Sequence, residues 1–158
     1  DEIDLNIINR FKDACIVIGI QGWLRDIGPN GKIIPRDYEK KFGQKVKAIV
    51  YSELDHPQSE VLAHRLLDTA EIVVITRSER GVTVLNNGRC VNLPAISAVE
   101  VDPTGAGDVF GIVLGLGLSA GLDPIDAANR AIGAASRVVE GPGIGRLMEV
   151  ASSVLQSY

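Results

Sequence analysis

Asp102-Pro103-Thr104-Gly105-Ala106-Gly107-Asp108 decides how this chain reads. It stands between Ala98-Val99-Glu100-Val101, which reads as the end of a strand, and an apolar run from Val109 to Ala120 that is too long for one. A glycine-rich turn opening a helix leaves backbone N–H groups unpaired at the positive end of the helix dipole. Such a turn is an anion site, and a phosphate suits it. Asp108 stands at its rim. An acid beside a bound phosphate has a chemical use, which is to take the proton from an attacking hydroxyl. Aspartate is also a good helix cap, so local chemistry alone leaves both readings open.

Upstream, Ile3, Ile7, Ile8 and Phe11 share one helical face, which predicts a helix over residues 2–12. Ala14 to Ile20 is a short continuous apolar run, the mark of a strand buried on both faces, and Gln21 to Arg25 follow at its carboxyl end. Residues 26–45, with Gly28, Pro29, Asn30, Gly31, Pro35 and Gly43, read as turns and an irregular or short helical excursion. Val46 to Tyr51 predicts a strand, residues 58–69 a helix, and Ile72 to Thr76 another buried strand.

Val82 to Leu85 and Cys90 to Leu93 flank Asn86-Asn87-Gly88-Arg89, which is hairpin chemistry. Past Asp108 the helix runs to about Ala120, with Gly121 as its C-cap. Asp123-Pro124 opens the next helix as cap and first-turn proline, and it continues to about Val139. Residues 141–145 read as a loop and 146–156 as a final helix. Strands and helices in this order make an open α/β sheet, where ligands gather at the carboxyl ends of the strands.

With 158 residues the chain forms one domain that buries about two-thirds of its unfolded surface. Sixteen basic against twenty acidic residues give a net charge of −4, so nothing favours nucleic acid as a partner. Cys15 and Cys90 lie far apart in apolar runs, and they read as buried free thiols in a reducing, cytoplasmic setting. No apolar run reaches the ~18 residues of a membrane span. Asp1 in first place, with Met148 the lone methionine, gives the expectation that the chain is part of a longer protein.

The heptapeptide matches, over its full length, the D-x-T-G-A-G-D signature of the ribokinase-type (PfkB) carbohydrate and nucleoside kinases, and the chain resembles that family. Three further stretches agree in order. Thr76-Arg77-Ser78-Glu79-Arg80-Gly81 is similar to the family's T-x-G-x-x-G nucleotide turn, with Ser78 in place of a glycine. A hairpin follows, as the family requires. Gly141-Pro142-Gly143 resembles the late loop that closes over the nucleotide.

The resemblance implies a ribokinase-like open, mostly parallel sheet flanked by helices, with a β-hairpin before the signature. It covers only the C-terminal half of the family, so residues 1–158 read as the nucleotide-binding and catalytic portion of a longer kinase. The N-terminal half and the small β lid are not visible in the sequence. In full length, the resemblance makes a homodimer conceivable.

By resemblance, the reaction is ATP-dependent phosphoryl transfer to a hydroxyl of a sugar, polyol or nucleoside, with Mg²⁺. Asp108 is then the base, and Gly105, Ala106 and Gly107 offer N–H groups to the γ-phosphate. Thr76, Arg77, Gly81, Thr104 and Gly143 are expected around the nucleotide. Glu60, the acid surviving in Pro57-Gln58-Ser59-Glu60 where relatives carry N-x-x-E, is a candidate for water-mediated Mg²⁺ support. Asp102, with Thr104, lies where relatives often bind a monovalent cation such as K⁺, and a turn-stabilising role is equally open. Ile112 and Val113 stand where the family usually has small residues.

A vitamin-precursor kinase of the same superfamily, phosphorylating a hydroxymethyl group on a heterocycle, is an alternative. A non-catalytic nucleotide-binding module is another, although such a module has no use for a base. There is no G-x-x-x-x-G-K-[ST], which excludes a P-loop enzyme. Gly115 to Ala120 fits G-x-G-x-x-A but lies late in a helix and follows no strand. His56 and His64 lack the cysteine neighbours or tight spacing of a transition-metal site. Arg25 beyond a strand end could hold a phosphate or substrate group, and Trp23 reads as packing rather than a stacking platform.

Overall fold

A computed structural model describes residues 5–38 and 42–156. Five strands form one sheet: β1 (Val17–Gly19), β4 (Val46–Ser52), β5 (Ala70–Thr76), β6 (Val82–Asn86) and β7 (Arg89–Leu93), in the order β1-β4-β5-β6-β7. The pairings β1/β4 and β4/β5 are parallel, while β5/β6 and β6/β7 are antiparallel. The helices are α1 (Ser59–Leu66), α2 (Ala106–Ser119), α3 (Pro124–Val139) and α4 (Gly143–Leu155).

The central strands are largely apolar because both faces are covered, with Lys47 and Glu71 paired near the starts of β4 and β5 as the charged exceptions. Ala48, Val50, Ile72 and Val74 turn to a core shared with α2, α3 and α4. Ile49, Tyr51, Val73 and Ile75, the alternate positions, turn to a second core with α1, Ile20 and Leu24. Small residues let α2 and α3 approach closely: a Cβ built on Gly117 would lie 3.0 Å from that of Ala127. Two residues earlier, Gly115 leaves just room for Val17 at the start of β1. α2 therefore runs back along the sheet, with its N-terminus at the carboxyl ends of the parallel strands.

The hairpin is one residue longer on each arm than expected, with Asn87 and Gly88 both at positive φ, as a two-residue turn of this kind requires. α3 has the expected bounds, capped by Asp123 Oδ1 accepting from the Ile125 N–H at 2.9 Å. His64 lies on the exposed side of α1, and Trp23 packs its ring against Phe42 with centroids 6.0 Å apart.

Several expectations fail. Within the predicted helix 2–12, Leu5–Arg10 is a 3₁₀ segment, and residues 2–4 lie outside the described residues. Of the described residues of its apolar face, Ile8 is buried while Ile7 and Phe11 are exposed. Gln44 donates to the carbonyls of Ile8 and Phe11, satisfying the end of that short turn. The strand predicted over 14–20 shrinks to three residues, because β1 has a strand partner, β4, on one side only among the described residues.

Residues 26–45 are not uniformly irregular. β2 (Arg25–Ile27) and β3 (Ile33–Pro35) pair as an antiparallel ribbon across Pro29–Gly31, with Asn30 and Gly31 at positive φ. A small β ribbon therefore exists where none was read, since three-residue arms are too short to show a period of two.

Residues 98–101 carry no strand; Pro94, with no N–H to give, ends the ladder after β7. α2 begins at Ala106 and α4 at Gly143, each starting inside what was read as loop. Neither cysteine is fully buried: Cys15 is half-buried beside α2, and Cys90 is exposed on the edge strand β7.

Candidate active site

The signature turn gets its shape from Gly105, which sits at φ 83° as the N-cap of α2. The left-handed conformation is open to glycine at no steric cost. A Cβ there would also come within 2.6 Å of Leu147 Cδ1, so α4 packs directly on the turn. Asp102 fixes the turn from within. Its Oδ1 accepts from the Thr104 N–H at 2.9 Å, and its Oδ2 from the Gly143 N–H at 3.1 Å. One carboxylate thus ties the signature to the late loop. The Thr104 side chain first, and then the Thr104 and Gly143 N–H groups, hold the Asp102 carboxyl below the usual aspartate range. The N–H groups of Val101 and Asp102 both donate to the Val139 carbonyl, anchoring the approach to the turn on the end of α3.

Hydrogen bonding divides the N–H groups of the turn. Ala106 donates to Pro103 at 3.2 Å, and Val109 donates to Gly105 at 3.0 Å. Among the described residues nothing accepts from the N–H groups of Gly105, Gly107 or Asp108. The free donors therefore differ from the expected 105–107 set in one member: Ala106 is committed to the turn, and Asp108 takes its place. The Asp108 side chain, at the third position of α2, is exposed and without a hydrogen-bond or ion-pair partner among the described residues.

Beside this turn lies a groove of about 530 Å³. It is lined by Thr76, Ser78, Glu79, Gly81 and Val82 of the turn after β5, by Ala95 to Ala98 with Glu100, by Pro103, Ala106, Gly107 and Phe110, and by Ile132, Ala135, Ser136 and Val139 of α3. The sequence points to Thr76, Gly81, Ala106 and Gly107, and the fold brings them together in one groove. It misses the contribution of α3 and of the extended stretch 95–100. No local signal marks that contribution, since the two meet only in the fold, where Ser136 Oγ donates to the Ile96 carbonyl at 3.3 Å.

Gly81 explains itself sterically. At φ 90°, a Cβ would lie 2.0 Å from the Leu93 carbonyl oxygen and 2.6 Å from the Ala95 nitrogen. Only glycine lets the turn pass this close to the chain leaving β7.

Thr104 and Gly143 adjoin the signature through Asp102 but do not line the groove. Arg77 is turned away. Successive side chains of a strand point to opposite faces, so Thr76 faces the groove while Arg77 shares the α1 face with Ile75. There it pairs with Glu53 and with Glu60, at 2.9 and 3.0 Å. Glu60 accordingly sits across the sheet from the groove. The sequence did not single out Asp55, the buried acid at the carboxyl end of β4. Its Oδ1 pairs with Arg25 at 3.1 Å and accepts from Gln21, and its Oδ2 accepts from the Ser52 N–H. The Ser52-x-x-Asp55 spacing of a capping box was its sequence signal.

No lysine or arginine lines the groove, and two glutamates do. A phosphate here would rely on backbone N–H groups and the α2 dipole. Among the described residues no three His, Cys, Asp or Glu side chains gather as a metal cage, and no helix is long and apolar enough to cross a membrane.

Comparison with known proteins agrees with this arrangement. Residues 46–150, more than half the chain, match the family described as pfkB family carbohydrate kinase. The bifunctional protein HldE of Geobacter sulfurreducens is 42% identical over 86 residues, covering 52% of this chain and 16% of HldE. A probable sugar kinase from Rhizobium etli superposes over 97% of this chain and 47% of its own, with TM-score 0.67 and 19% identity. A ribokinase II from Escherichia coli, in complex with ATP and Mg²⁺, covers 72% of this chain and 40% of its own, with TM-score 0.57 and 23% identity. The sheet order, the hairpin before the signature and the α2 N-terminus are thus a ribokinase-like fold, and the chain belongs to the pfkB family of carbohydrate kinases.

Proposed function

We propose that this chain is the nucleotide-binding and catalytic part of an ATP-dependent kinase that phosphorylates a hydroxyl of a sugar, polyol or nucleoside. The observation that carries the reading is the α2 N-terminus, where free N–H groups and the unpartnered Asp108 carboxylate open beside the groove. The apolar stretch of the groove around Ile96, Ile132, Ala135 and Val139 suits a purine base, with the phosphates toward Gly107. The acceptor oxygen attacks the γ-phosphorus as the bond to the ADP oxygen breaks, and Asp108 takes the hydroxyl proton. A loose transition state asks for positioning and charge stabilisation more than for a strong base. The N–H groups of Gly105, Gly107 and Asp108 would meet the charge that develops on the transferred oxygens.

Among the described residues no side chains fit a metal cage. Glu60 pairs with Arg77 on the face of the sheet away from the groove, and both Asp102 oxygens already accept backbone N–H groups. Mg²⁺ is commonly held by substrate phosphates and water with one or two carboxylates; here it would arrive on the nucleotide, and no step is assigned to it. ADP release measured with the full-length protein over a panel of sugars, polyols, nucleosides and hydroxymethyl heterocycles tests the reading. Turnover with at least one acceptor is expected. Tight ATP binding without turnover on any of them would make the chain a binding module instead.

A further inference from the structure

We propose that Arg77 is a positioning residue that clamps the nucleotide turn from the far face of the sheet and so sets the affinity for ATP; this rests on the kinase reading. The turn 76–81 is held within itself by few bonds: the Arg77 N–H to the Gly81 carbonyl, the Arg80 N–H to Arg77, and the Gly81 N–H to Ser78. It carries two positive-φ residues, Ser78 and Gly81. Yet Thr76, Ser78, Glu79 and Gly81 must hold their places, because they line the groove. Thr76 Oγ1 donates to the Tyr51 carbonyl at 3.4 Å and Arg80 reaches Glu53, but the restraint with the most partners is the Arg77 side chain, which does not line the groove.

That side chain uses all three guanidinium nitrogens. Nε donates to Thr83 Oγ1 at 2.9 Å, Nη1 to Glu53 at 2.9 Å and Nη2 to Glu60 at 3.0 Å. Thr83 passes the contact on to Asn92 at 2.7 Å, and Arg80 closes a second ion pair on Glu53. The short turn after β4, helix α1 and strand β6 thus meet on one residue of the nucleotide turn, with β7 joined through Thr83. Arg77 and Glu53 are each less than a fifth exposed, so the pair is shielded from the screening that makes surface ion pairs weak. A planar fork serves three acceptors at fixed angles; a lysine ammonium in its place serves them as a point charge on a flexible stem.

The test uses the full-length protein and its Arg77→Met and Arg77→Lys variants. The readouts are the dissociation constant for ATP by calorimetry, backbone amide exchange across residues 70–86, and the melting temperature. The clamp predicts that Arg77→Met weakens ATP binding by about tenfold or more. Exchange should rise at 76–81 while β5 stays protected, and Arg77→Lys should recover part of both effects. Unchanged ATP affinity in folded Arg77→Met protein, with only a lower melting temperature, would overturn the proposal, as would exchange spreading evenly through β5 and β6. Wild-type protein that binds no ATP would instead refute the kinase reading, and the exchange measurement would still decide whether Arg77 holds the turn.

Discussion

Gly81 and Gly107 both line the groove, yet they are glycines for different reasons. At Gly81 a side chain has no room, so Gly81→Ala should cost about 2–4 kcal/mol of stability, read by thermal or denaturant unfolding. At Gly107 nothing lies within 4 Å of a built Cβ, and the backbone is helical. Gly107→Ala should therefore leave the fold intact or gain up to about 1 kcal/mol from helix propensity. It should still lower kcat/KM, because the added methyl stands beside free N–H groups where a phosphate would approach. Loss of both stability and activity in Gly107→Ala would make it a structural glycine. The sequence carried the identity of both residues but not this difference, which depends on what lies across from each: the chain leaving β7 in one case, open space in the other.

At the scale of elements, the strongly periodic or capped segments were legible: β4, β5, the hairpin, α1 and α3 lie close to where their residues place them. The failures share a cause, since each depends on a neighbour distant in sequence. Val99 and Val101 look like strand residues, but no strand pairs with them among the described residues, and both are exposed. Arg77 was legible as part of a turn after β5, while its facing depended on the phase of the β5 pleat. The same pleat gives a pH dependence. The Arg80 guanidinium, and after it Arg77, hold the Glu53 carboxyl below the ordinary glutamate range, against an opposing push from burial. A depressed folded value stabilises above the ordinary value, about 4.3, and that contribution disappears as pH falls through the depressed one. Melting temperature should therefore drop on acidification below that pH. Glu53→Gln should melt lower than wild type at neutral pH and lose less on acidification; an identical acid slope in the two proteins would remove Glu53 from the account.

For the molecule as a whole, the two cores on either face of the sheet fix the site. The core toward α2 and α3 holds the α2 N-terminus at the carboxyl ends of the strands, and the core toward α1 backs the turn after β5. The heptapeptide made the first half of that arrangement legible, since it specifies its own turn and helix start. The groove walls were not legible, because α3 and residues 95–100 meet only through the fold. The chain spans less than half the length of the solved kinases it resembles, so the choice of acceptor belongs to the proposed whole protein. The central claim is that Asp108 acts as base at a phosphate site made by α2. Full-length Asp108→Asn, assayed for ADP release and for ATP affinity side by side, tests it most directly. The account predicts turnover reduced by about 10²–10⁴-fold with ATP affinity and melting temperature close to wild type; turnover equal to wild type would contradict it.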